Sequence, residues 1–161
     1  MLEEFADVLN DLPSALNWVK THPSELNDFN RKGFAPIHLA ILAFQPLLVD
    51  TLLSMGALVN TETRDGFENT PLHLLALSNA EGAASLASLL IDYGAELIAR
   101  NRDHQTALHL AVAGDAKLLA TVLVEAGADP LLRDHAGHSS LDLAVDDIEM
   151  KQILRVALKR T

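Results

Sequence analysis

At 161 residues the chain has the size of one domain, able to bury roughly 70% of the surface that it exposes when unfolded. It is 49% hydrophobic but only 4% aromatic, so its core must be built from Leu, Ala, Val and Ile in close-packed helices, an all-α class. The lack of cysteine excludes disulfides, thiolate metal centres and cysteine nucleophiles, and a net charge of −10 opposes phosphate backbones and anionic head groups, so neither nucleic acid nor membrane is expected as a partner.

The chain opens on Met1-Leu2-Glu3-Glu4-Phe5-Ala6-Asp7, acidic where a secretory signal is basic, so no export signal is read and a cytoplasmic location is expected. Its apolar runs, such as Leu118 to Ala126, are cut by charges well before the roughly 18 residues of a membrane span. Further on, Ala35-Pro36-Ile37-His38-Leu39-Ala40 recurs as Thr70-Pro71-Leu72-His73-Leu74-Leu75 and as Thr106-Ala107-Leu108-His109-Leu110-Ala111, and more faintly as Ser139-Ser140-Leu141-Asp142-Leu143-Ala144. Successive blocks are 35, 36 and 33 residues apart, and Gly56-Ala57, Gly94-Ala95 and Gly127-Ala128 follow 18, 21 and 18 residues after each histidine.

Each block reads as a helix start. Thr70 and Thr106 are N-caps whose hydroxyls can accept from first-turn amides. Pro36 and Pro71 sit at the first helical position, where a missing N–H costs nothing. Apolar residues at helical spacing follow, as in Leu118, Leu119, Val122 and Leu123, and each second helix stops at a Gly suited to a left-handed C-terminal residue. Asn101-Arg102-Asp103 and Arg133 to Gly137 are polar turn-formers between units. A helix pair cannot bury both apolar faces alone, so the units must stack into a solenoid with polar outer faces at its ends. Glu3, Glu4, Asp7, Asp11 and Lys20 supply one such face, and Asp146, Asp147, Glu149, Lys151, Arg155, Lys159 and Arg160 the other. Capped ends predict a whole protein rather than an excised fragment.

The Thr-Pro-Leu-His block at this period resembles the ankyrin-repeat family. The resemblance runs from Asn30 to about Leu158, and more loosely over residues 1–29, where Ser24-Glu25-Leu26-Asn27 is similar to the end of a family repeat. It implies an ankyrin-repeat solenoid of about five stacked helix-turn-helix units with hairpin-like fingers. The expected units of a single 1–161 domain are 1–29, 30–62, 63–98, 99–131 and 132–161. Ala35 lacks a capping hydroxyl, Ala107 replaces Pro and Asp142 replaces His, so the first and last complete units should fray more readily. The second complete unit carries three extra residues near Ser78 to Gly82, and a finger, Thr63 to Asn69, two residues longer than its neighbours.

Seven histidines raise a metal question. His38, His73 and His109 recur at the spacing of stacked helices, roughly 8 to 10 Å, too far to share a metal held at about 2 Å. They are expected to hydrogen-bond loop backbone between units. His135 and His138 could supply two ligands, but no third is evident. Asp134, His135, His138, Ser139 and Ser140 hold the residue types of a Ser-His-Asp hydrolase, yet Ser139 occupies a capping position and Asp134 a turn position. No phosphate-binding, dinucleotide-binding or metalloprotease motif occurs, so neither catalysis nor a cofactor is expected. Trp18 and Tyr93 fall at apolar helical positions and are expected in the core. Arg64, Arg100 and Arg133 recur before the turns, weak support for an anionic partner.

The resemblance implies a scaffold or adaptor that binds a protein partner on its concave groove. Its alternative is a stand-alone inhibitor that occludes an enzyme such as a kinase; either way a monomer is expected. In such units the residues after the turn and late in the first helix are not needed for packing. Here these are Arg31, Lys32, Phe34, Leu42 and Ala43; Gly66, Phe67 and Leu77; and Arg102, Asp103, Gln105 and Ala113. The finger insertion leaves Phe67 two registers, and Phe34 and Phe67 could instead cover loop-helix junctions.

Overall fold

The computed structural model describes residues 2–159. Arg160, counted above among the polar residues of the last unit, lies outside them. The described residues form ten α-helices in five consecutive pairs: α1 (Leu2–Val8) with α2 (Leu12–Thr21), α3 (Pro36–Leu42) with α4 (Pro46–Ser54), α5 (Pro71–Ser78) with α6 (Ala83–Asp92), α7 (Ala107–Ala113) with α8 (Lys117–Glu125), and α9 (Ser140–Leu143) with α10 (Ile148–Leu158). A short 3₁₀ turn, Pro23–Glu25, follows the first pair. Among the described residues the only β-type pairing is one bridge, Arg133 to Ser139.

The pairs stack in register. The first helices pack in the order α1, α3, α5, α7, α9, and the second helices form a layer behind them through the contacts of α2 with α4, α6 with α8 and α8 with α10. Contact between α4 and α6 is weaker than between the other neighbouring second helices. The core between the layers is aliphatic: Ile37, Ile41, Leu48, Leu52, Leu72, Leu75, Leu90, Leu108 and Leu123 are fully buried, each such side chain adding about 1.5 to 3 kcal/mol on removal from water. Phe5 and Trp18 close the first unit, their ring centroids 4.8 Å apart. Asn27 ties the first helix pair to the next: its amide donates to the Gly56 carbonyl at 3.1 Å and accepts from the Leu58 N–H at 2.8 Å. Asn60 repeats both bonds one unit on, with Gly94 and Glu96.

The three extra residues of the second complete unit are shared out. α5, the turn after it and α6 are each one residue longer than their counterparts in the third complete unit. The longer turn runs through two left-handed residues, Asn79 (φ 44°) and Gly82 (φ 86°), and glycine meets that demand without a Cβ penalty.

Tyr93 is not in the core. It follows Asp92 at the C-cap of α6, is 39% exposed, and its hydroxyl donates to Asp50 Oδ1 at 3.0 Å across to α4. A C-cap residue has turned away from the apolar stripe of its helix, so periodicity carried one residue too far. Trp18 is buried, as expected.

Candidate functional site: the fingers and the first-helix ends

The fingers are built by short polar side chains that fold the backbone onto itself. Asn30 Oδ1 accepts from the Lys32 and Phe34 N–H groups at 3.0 and 2.9 Å. Asn101 Oδ1 does the same for Asp103 and Gln105 at 3.1 and 3.0 Å. These are the turns that Asn forms readily with backbone amides further along the chain. The longer second finger adds another: Asp65 Oδ1 accepts from Phe67 N–H at 3.0 Å and from the Thr63 hydroxyl at 2.6 Å. Consecutive fingers are then tied by single backbone bonds, Arg64 N–H to Gly33 O (2.8 Å), Arg102 N–H to Phe67 O (3.0 Å) and His135 N–H to Asp103 O (2.9 Å).

Below the fingers runs the histidine ladder. Nδ1 of His38, His73 and His109 accepts from the N–H of Ala35, Thr70 and Thr106 at 3.0, 3.3 and 3.1 Å. With Nδ1 accepting, Nε2 carries the proton; it donates to the carbonyl of Thr61 (2.9 Å), where the unit of His38 leads into the next, and to those of Gln105 (2.9 Å) and His138 (3.2 Å) in the adjoining unit. Burial pushes all three imidazoles below their ordinary pKa, against the carbonyl bonds, which favour the proton. They are neutral struts between units. The Thr70 hydroxyl accepts weakly from His73 N–H at 3.4 Å, as expected of an N-cap. Both hydroxyls also lie against the imidazole Nδ1, that of Thr70 at 2.8 Å from His73 and that of Thr106 at 2.9 Å from His109. In the last unit Asp142 takes the place of His. Its Oδ2 accepts from Ser139 N–H at 3.0 Å while Ser139 Oγ accepts from Asp142 N–H at 3.1 Å, a reciprocal cap for the short α9.

That cap also accounts for Ser139 as structure rather than as a nucleophile, and Asp134 Oδ1 accepts from His138 N–H at 2.9 Å, as a turn residue does. The His135 ring faces that of His104, centroids 4.7 Å apart. Among the described residues no group of three or more His, Asp or Glu is placed to hold a metal ion.

The finger arginines have partners within the chain. Arg64 lies over the Phe29 ring, 3.7 Å from its centroid. Arg100 donates to Arg133 O at 2.7 Å, Arg102 to Gly66 O at 3.1 Å, and Arg133 to Asp142 at 3.2 Å. Arg64, Arg100 and Arg102 reach across to another unit while Arg133 is held within its own, roles that the recurrence of Arg64, Arg100 and Arg133 before the turns did not distinguish from anion binding.

The residues singled out for a partner are distributed over this scaffold as follows. Arg31, Lys32, Arg102, Asp103, Gly66 and Ala113 are exposed, and Ala43 and Gln105 are half-buried. Arg31 leans on Glu3 at 3.6 Å. Leu42 and Leu77, at the ends of α3 and α5, are 52% and 55% exposed, and Phe67 at the tip of the long finger is 60% exposed. Phe34 is half-buried with its ring edge-on to His38, centroids 6.2 Å apart, so it covers a loop-helix junction in part.

The chain matches the family model described as ankyrin repeats (3 copies) over residues 37–134. It is 32% identical over 94 residues to the ankyrin repeat protein FPV024 of Fowlpox virus (strain NVSL), covering 58% of this chain and 15% of the viral protein. It is 33% identical over 91 residues to alpha-latrotoxin-Lh1a of Latrodectus hasselti, and 32% over 91 residues to alpha-latrotoxin-Lt1a of Latrodectus tredecimguttatus. Each alignment with a toxin covers 56% of this chain and 6% of the toxin.

Proposed function

Because the chain belongs to the ankyrin-repeat family, we propose that it is a protein-protein interaction module that engages its partner through the fingers and the first-helix ends. The reading includes a non-catalytic, cytoplasmic monomer that binds neither nucleic acid nor membrane. The observation that carries it is the placement of Leu42, Phe67 and Leu77, large apolar side chains left half or more exposed on a scaffold whose fingers are tied by hydrogen bonds. Apolar anchors within a polar rim are what interfaces use. Arg31, Lys32, Arg102, Asp103 and Gln105 form the rim, with Phe34 and Ala113 beside the anchors. Preorganised loops lose little entropy on binding, which favours affinity.

The test is to purify the partner with this protein from its native source and titrate it against variants. Phe34→Ala and Leu77→Ala should each weaken binding by more than about 1 kcal/mol, as truncated anchors do. Leu77→Ala should keep the stability of the wild type within about 1 kcal/mol, since its side chain is already largely in water. Wild-type affinity in both variants would move the interface elsewhere.

A further inference from the structure

The edge of the solenoid formed by the turns within each helix pair carries a second set of exposed apolar side chains. Two clefts lie there in succession. One, of about 490 Å³, opens between the α5–α6 and α7–α8 turns and is lined by Ala80, Ala83, Ala84, Leu118 and Leu119. The next, of about 340 Å³, opens between the α7–α8 and α9–α10 turns and is lined by Val112, Leu143, Val145 and Met150. Asp115 borders both. The long α5–α6 turn shapes the first cleft, and a Cβ on Gly82 would come within 3.3 Å of the Phe44 ring, which places Phe44 just beyond it. Leu118 is 79% exposed and Val145 65%.

The electrostatics of this edge are one-sided. The five turns, residues 9–11, 43–45, 79–82, 114–116 and 144–147, hold Asp11, Glu81, Asp115, Asp146 and Asp147 and not one Lys or Arg. The cation lining the first cleft, Lys117, is spent on Glu149 (3.0 Å), Asp147 (3.1 Å) and Asp115 (3.6 Å). At the second cleft Lys151 donates to the Val145 carbonyl, yet the carboxylates still outnumber these two cations, and Glu81 and Asp146 stand exposed. An apolar strip with such an excess of negative charge repels anionic surfaces and complements a cationic, amphipathic ligand.

We propose that this edge docks a basic amphipathic helix, its aliphatic side chains seated in the two clefts and its Lys or Arg residues against Glu81 and Asp146. The clefts are one unit apart, roughly 8 to 10 Å for packed helices. An α-helix rises about 1.5 Å per residue, so anchors about seven residues apart, on one face after two turns, match that spacing. This surface is distinct from the fingers, borders the first-helix ends at Ala43 and Ala113, and does not depend on the reading above.

The probe is a fluorescent 18-residue alanine-based helix carrying spaced lysines and leucines seven residues apart, and a control of the same composition with the leucines five apart, off one face. Anisotropy titration of the full chain should show saturable binding of the first peptide and at least tenfold weaker binding of the control. Leu118→Ser and Val145→Ser, both exposed and expected to fold, should each weaken binding about tenfold, as loss of an anchor does. Glu81→Lys should weaken it, and Phe67→Ser on the fingers should not. Equal binding of the two peptides, indifference to Leu118→Ser and Val145→Ser, sensitivity to Phe67→Ser, or no saturable binding would each overturn the proposal. So would a concentration-dependent dimer of the protein that Leu118→Ser abolishes, because a second copy would then be the occupant.

Discussion

Replacing His73 with Ala probes the ladder at its middle rung. The imidazole is almost fully buried and joins two units. Its removal deletes the bond to the Gln105 carbonyl, worth about 0.5 to 1.5 kcal/mol net. That carbonyl keeps a second donor, the Asn101 N–H at 3.0 Å, and is not orphaned. The Thr70 N–H is a different matter. It loses its acceptor in a buried position, at a cost of about 1 to 3 kcal/mol. The space left by the ring adds a cavity term on the scale of other large-to-small core changes. Together these give a loss of about 4 kcal/mol or more, a large share of the roughly 5 to 15 kcal/mol that holds an ordinary domain. Urea denaturation followed by helical circular dichroism at pH 7 measures it. Because stability in a stacked array depends on the interfaces between neighbours, a lower slope with urea should accompany the loss as the units uncouple. A loss below about 1 kcal/mol at unchanged slope would refute the strut assignment.

The same histidines set the acid response. Their folded pKa values lie below the ordinary 6.5, so beneath that value the unfolded chain binds protons that the folded one refuses. Their contribution is present above pH 6.5 and is lost as pH falls, at up to about 1.4 kcal/mol per pH unit for each histidine. Stability measured in urea should therefore drop by about 2 kcal/mol or more between pH 7.5 and 5.5, and a flat profile would contradict neutral burial. Gly33→Ala should cost about 2 kcal/mol or more, because φ is +84° and the new Cβ would lie 2.5 Å from the Arg64 carbonyl carbon. Gly137→Ala has nearly the same φ, +83°, but nothing within 4 Å of its Cβ, and should cost only about 1 kcal/mol. Thermal melts of the two variants separate the clash between fingers from the backbone strain.

Most of the fold was legible because each unit repeats its own instructions. Thr70-Pro71-Leu72-His73 announces a helix start, and the recurrence of His at a fixed place pointed to inter-unit bonds before any distance was known. The roles of Asn30 and Asn101 followed from turn chemistry. What stayed hidden is three-dimensional. Arg64, Arg100 and Arg133 look alike in sequence, and only their placement shows that the first two reach another unit, over Phe29 and to the Arg133 carbonyl, while Arg133 pairs with Asp142 of its own. Tyr93 sits one residue past the apolar stripe, where helical periodicity no longer says which way a side chain turns. The sharing of three inserted residues among α5, its turn and α6 left no local mark, because either helix could extend at no cost in pattern. The acidic edge went unread for a similar reason: its charges are scattered singly through the chain and gather only on stacking.

The central claim, that a protein partner is held by the fingers and first-helix ends, is tested most directly by amide hydrogen exchange of the chain with and without the partner purified alongside it. Binding there should slow exchange at residues 31–34, 42–43, 66–67, 77 and 102–105 while α4, α6 and α8 exchange as in the free protein. Protection confined to those second helices, with the fingers unchanged, would contradict it.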